Sequence, residues 1–171
     1  MKKIIALFLL LILAGCNNHT YKLFDFESKG IKVSDGEAAA KLLGSFVLVH
    51  QSGNKKETHK GSPYELFIWF ENNNPTMKAE RIEAISLTSS EGEVAAKSDG
   101  GALQTEVTSS KSYLSTFSIK ALKLKHLPYV LRYKLVLRAG KDEINKNIEI
   151  RFIPKYEEKR SNDFIDRLMS V

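Results

Sequence analysis

The run YVLRYKLVLRAGKDEINKNIEIRFI, residues 129–153, carries the clearest strand pattern in the chain. Tyr129, Leu131, Tyr133, Leu135 and Leu137 alternate with Val130, Arg132, Lys134, Val136 and Arg138, a period of two that puts one apolar face toward a core and a mixed face toward water. Ala139-Gly140-Lys141-Asp142 reads as a turn, where the glycine supplies the backbone freedom a tight reversal needs. Beyond it Ile144, Ile148, Ile150 and Phe152 alternate with Glu143, Asn145, Asn147, Glu149 and Arg151. The two runs predict an antiparallel hairpin, 129–138 against 143–153. A slip of one residue would drive Arg132, Lys134 and Arg138 into the core, so the register is closely specified.

The same period recurs in short runs at 21–26, 46–51, 64–71, 82–88, 92–97, 103–108 and 113–119. Turn-rich stretches separate them at 51–63, 72–75, 89–92 and 98–101. Strands this short and this regularly punctuated predict a mainly β protein built as an antiparallel β-sandwich over 21–154. Leu127-Pro128-Tyr129, entering a long strand, resembles the corner before a late strand in immunoglobulin-like and fibronectin-like sandwiches, and the resemblance implies an immunoglobulin-like arrangement. Two short helices are also expected. Ser34-Asp35-Gly36-Glu37 has capping-box spacing ahead of residues 38–43, with Gly44 placed to end the helix. At the C-terminus Ser161 is placed to cap residues 162–169, where Phe164, Ile165, Leu168 and Met169 share a side that needs cover, from the protein's own body or from a partner's groove. Residues 155–171 are accordingly read as a charged segment followed by that helix.

The N-terminus carries a different signal. Lys2 and Lys3 precede eleven apolar residues, IIALFLLLILA at 4–14. Such a run is too short for a bilayer, which takes about 20 residues, but suits the apolar region of a signal peptide. It ends in Leu13-Ala14-Gly15-Cys16, which resembles the bacterial lipoprotein signal, the lipobox. The resemblance covers the leader and Cys16 alone. It implies diacylglycerol on the Cys16 sulfur, cleavage between Gly15 and Cys16, and usually acylation of the new N-terminus. Two or three chains make a stable anchor where one is marginal. Asn17 after the cysteine implies, within that family, the outer membrane on its periplasmic side if the cell has one. The expected division is therefore a cleaved peptide at 1–15, a lipidated short tether at 16–20, and the body.

Composition agrees with a globular body. The chain has 171 residues, 43% hydrophobic and 27% charged, and one cysteine, so an internal disulfide and a multi-thiolate zinc site are both excluded. Charge is uneven. Residues 17–110 hold 10 Lys+Arg against 13 Asp+Glu, and residues 111–160 hold 13 against 5. An exported chain rarely meets nucleic acid, so the basic half reads as a solvated strand face, or as a surface for anionic headgroups or an acidic partner. No phosphate-binding glycine loop, no G-x-S-x-G and no H-E-x-x-H occurs. His19, His50, His59 and His126 are scattered, and only His50, His59 and Glu57 suggest a shared metal. Phe67 and Trp69 make the run at 64–71 apolar on both faces, either covered or an aromatic platform. No catalytic residue, metal ligand or cofactor is expected other than the lipid on Cys16. The function expected is a non-enzymatic envelope lipoprotein with an envelope protein partner, acting as an interaction or scaffold module in an assembly, transport or secretion complex. The alternative is a lipoprotein that binds a glycan, a lipid or an enzyme on its loops.

Overall fold

The computed structural model of the chain describes residues 18–52 and 55–162, and these are mainly β. Ten strands follow one another: β1 (Asn18–Glu27), β2 (Ile31–Val33), β3 (Gly36–Ser52), β4 (Lys55–Asn72), β5 (Met77–Ser89), β6 (Val94–Ala102), β7 (Gln104–Val107), β8 (Tyr113–Leu122), β9 (Tyr129–Ala139) and β10 (Asp142–Asn162). Hydrogen-bonded neighbours run in the order β2-β3-β4-β1-β10-β9-β5-β6, with β8 beside β4 and β7 beside β8. Among the described residues there is no helix.

The hairpin that the alternation predicts is present. β9 and β10 pair antiparallel from Ala139↔Asp142 to Tyr129↔Phe152, closed by Gly140, with φ of 64°, and Lys141. Leu131, Leu135, Leu137, Ile150 and Phe152 are all within 1% of complete burial. Each such side chain contributes about 1.5–3 kcal/mol relative to exposure.

Two compact units divide the chain: residues 25–44 with 62–155, and residues 18–24, 45–61 and 156–162. The larger unit holds the apolar core. Ala38, Ala40 and Leu42 of β3, and Tyr64, Leu66, Ile68 and Phe70 of β4, join Ile82, Ile85 and Leu87 of β5 and the inward residues of β9 and β10 in one buried cluster. In β5 the inward set is not the simple alternation that its sequence suggests. Pairing with β9 shifts between Ala79 and Arg81 and again between Glu83 and Ser86, and Ala84 at the second shift has φ of 52°. Each extra residue switches the parity, so that Ala79, then Ile82, then Ile85 and Leu87 all face inward.

Several expectations are corrected. Ser34 and Asp35 form a turn, with φ of 52° at Ser34, and residues 38–43 lie in β3 rather than in a helix. Ala38, Ala40 and Leu42 alternate into the core, and this tertiary burial outweighs a local capping signal. The turn-rich 51–63 is strand from Lys55 onward, and 98–101 lies inside β6. The charged 155–160 continues β10 to Asn162, so Ser161 ends a strand instead of opening a helix. Phe164, Ile165, Leu168 and Met169, together with Gly15 and Cys16, lie outside the described residues.

Candidate functional site

The smaller unit brings together chemistry that the sequence spreads over more than 140 positions. β1 and β4 pair in parallel, Asn18↔Lys55 through Leu23↔Lys60. This register sets Thr20 beside Glu57 and Lys22 beside His59. Lys22 Nζ donates to Glu57 Oε1 at 2.9 Å, and His59 Nε2 donates to the same oxygen at 2.6 Å. The Lys22 and His59 hydrogen bonds hold the Glu57 carboxyl below the usual carboxylate range, and the Glu57 contact raises Lys22. Phe24 lies edge-on to His59, with ring centres 5.7 Å apart, and 5.1 Å from Tyr156 of β10. His19 stacks on Tyr21 at 4.0 Å and sits 2.7 Å from the Thr58 hydroxyl.

Beside this cluster is a cleft of about 550 Å³, lined by Asn18, His19, His50, Lys55, Lys56 and Arg160 among others. Arg160 is matched by Glu158 at 3.1 Å, whereas Lys55 and Lys56 have no ion pair among the described residues. The lining holds Lys55, Lys56 and Arg160 against one carboxylate, Glu57, which Lys22 and His59 already partner, so its balance is basic and suits an anion better than a cation.

The metal suggestion is half realised in geometry. His59 and Glu57 meet, but with His50 they do not make a metal-holding group, and among the described residues no set of three His, Cys, Asp or Glu does. Glu57 is occupied by Lys22 and His59. His126 lies in the larger unit, with Nε2 3.1 Å from the Asp25 carbonyl oxygen.

The basic C-terminal half resolves into paired charges where β9 is concerned. Arg132 meets Glu149 at 3.0 Å, Lys134 meets Glu83 at 2.6 Å, and the Arg138 guanidinium makes a two-pronged contact with Glu80. Arg81 adds Glu83 and Glu143. The sequence excess of cations on this strand is answered by carboxylates from β5 and β10, which linear counting does not connect. Phe67 and Trp69 stand half-buried on the outward side of β4, ring centres 5.8 Å apart, with Ser118 and Thr116 of β8 opposite them. They form neither a fully covered layer nor a fully open platform.

Sequence reasoning missed the basic cleft, because Lys55 and Lys56 fall in a stretch that looks like a turn and Arg160 in one that looks like a tail. β1, parallel to β4 on one side and next to β10 on the other, joins them across sequence separations that no local pattern announces. No family model, no curated protein and no solved structure matches the chain.

Proposed function

We propose that this protein is a membrane-anchored envelope lipoprotein acting as a non-enzymatic interaction or scaffold module. One observation carries the reading: Lys2 and Lys3, the apolar 4–14 and Leu13-Ala14-Gly15-Cys16 stand in the order a lipoprotein leader requires, and the single cysteine falls at its one essential position. β1 starts at Asn18, two residues after Cys16, so the smaller unit lies within roughly 7 Å of contour length from the anchor. The test is the whole chain against its Cys16→Ser variant. The wild type should fractionate with membranes, resist carbonate and carry acyl mass, and the variant should remain an unprocessed precursor. Carbonate-released wild type of unmodified mass would reject the reading.

The immunoglobulin-like sandwich is proposed for the larger unit. Its support is that inward faces of β3 and β4 and of β5, β9 and β10 share one buried cluster, although hydrogen bonding joins the ten strands in one sheet, eight in a single order and β8 and β7 branching from β4. A ligand-binding lipoprotein is the second reading, favoured by the basic cleft. Its ligand would be an anion, with a lipid phosphate as the nearest source given the short tether. Lys55→Ala/Lys56→Ala should weaken binding to vesicles containing phosphatidylglycerol several-fold in low salt and leave binding to phosphatidylcholine vesicles unchanged. Equal binding of the wild type and the double variant to both vesicles would remove this reading.

A further inference from the structure

Residues 45–52 of β3 read SFVLVHQS and include no charged side chain. Phe46, Val47, Leu48 and Val49 are 63%, 45%, 54% and 53% exposed. Successive strand residues point to opposite faces, so both faces of this segment are apolar and open. On one side β3 has β4 as its neighbour. On the other, β2 pairs only with Gly36 to Ala38, so among the described residues no strand lies along 45–52 there. A row of main-chain donors and acceptors is left along residues 46–52 of that edge.

The same unit treats its two edges differently. The β10 edge carries Glu157, Glu158, Lys159 and Arg160, the charges that keep stray strands from adding to a sheet. Residues 45–52 have neither charge nor proline. Lipid or a pocket would cover the apolar side chains and leave the main-chain edge to water, whereas another strand pairs that edge as well.

We propose that the β3 edge at residues 46–52 pairs antiparallel with the same edge of a second copy of this chain. Self-pairing follows from the sequence of the edge. Being neutral, it brings no like charges together. A two-fold axis at Leu48, perpendicular to the sheet, sets Leu48 opposite Leu48 of the second copy, Val47 opposite its Val49 and Phe46 opposite its His50. Opposed residues share a face, so Leu48 and Val47/Val49 are matched on the two faces at once. The four apolar side chains present on the order of 400 Å² per copy, the size of patches that are functional on monomers. With the main chain and flanking residues, a dimer reaches roughly the 1,000 Å² that a specific interface needs.

The test uses the full chain in density-matched mild detergent, and membranes from cells that express it. Sedimentation equilibrium at tens of micromolar should give a dimer. Val47→Lys should weaken it at least tenfold, by placing two lysines within the paired edge, whereas Val94→Lys, at an exposed valine of the larger unit, should not. In membranes, Leu48→Cys should form a disulfide-linked dimer on mild oxidation, since directly opposed residues of an antiparallel pair bring Cα atoms to the 4.4–6.8 Å a disulfide spans. Wild type, with Cys16 as its only cysteine, and Val94→Cys should not. The crosslink reads the pairing even if Val47→Lys folds poorly. A monomer without the Leu48→Cys crosslink overturns the proposal, in favour of cover by residues 163–171, another protein's strand or a lipid surface. A dimer indifferent to Val47→Lys overturns it too.

Discussion

Ala84 sits at φ of 52°, in the left-handed region where an L-residue with a Cβ is strained, and its side chain is exposed. Nothing packs on that methyl that would make it worth keeping, so Ala84→Gly should stabilise the protein by about 0.5–1 kcal/mol in urea unfolding. Gly100 is the opposite case: φ is +93°, and a Cβ there would run into the Ile82 carbonyl oxygen. Gly100→Ala should cost about 2 kcal/mol or more, because strain and a backbone clash add. The two substitutions exchange the same residues and should shift the midpoint in opposite directions. Tyr64 supplies a pH dependence. Burial pushes its phenol up to about 12, and burial raises Tyr133 as well. The unfolded chain loses these protons from about pH 10 and the folded chain holds them longer, so the stabilisation is complete below pH 10 and falls as pH rises toward 12. Tyr64→Phe should flatten part of that alkaline decline in denaturation midpoints measured from pH 8 to 12.

At the scale of the element, the β9–β10 hairpin joins a buried face to a charged one. Leu131 and Ile150 are directly paired and almost completely buried. Leu131→Ala should therefore destabilise by about 2–5 kcal/mol, with the spread set by how far the neighbours collapse into the cavity. The outer face titrates in the acid range. The Glu80 carboxyl is lowered by its hydrogen bond from Arg138, Glu83 by Lys134 and then Arg81, and Glu149 by Arg132. A depressed folded pKa contributes stability above the carboxylate's ordinary value near 4.5, which is lost as pH falls through the folded one. Exposure and screening keep each pair small. Arg138→Gln should make the unfolding midpoint less sensitive to pH between 5 and 3.

For the whole molecule, the decisive feature is that β10 runs to Asn162 and so lies beside β1 in the smaller unit. Tyr156 packs on Phe24, and among the described residues β10 is the one strand that flanks β1 on that side. Removing residues 155–171 should therefore lower amide protection by hydrogen exchange at those β1 residues between His19 and Leu23 whose N–H groups face β10, while the alternate ones that face β4 keep theirs. Removing 163–171 alone should leave that protection intact, because the strand is untouched. Equal loss in both truncations would mean that the last nine residues, and not β10, hold β1 in place.

What was legible in the sequence follows from which interactions are local. Alternation over ten residues on either side of Gly140 specifies a hairpin because the side-chain period and the pleat are the same property of one strand. The leader reads from composition and order alone, so Cys16 is a sequence-level expectation. Residues 34–43 misled because a capping box is a local preference of about a kilocalorie, while burial of Ala38, Ala40 and Leu42 is decided by strands distant in the chain. Residues 51–63 and 155–160 misled because polar, charged sequence is compatible with a loop, a tail or a strand exposed on both faces. The parallel pairing of β1 with β4 and the bulges at Glu80 and Ala84 were settled only by tertiary structure. So was the basic cleft. Register between distant strands minimises the free energy of the assembled sheet, a quantity that no single segment contains.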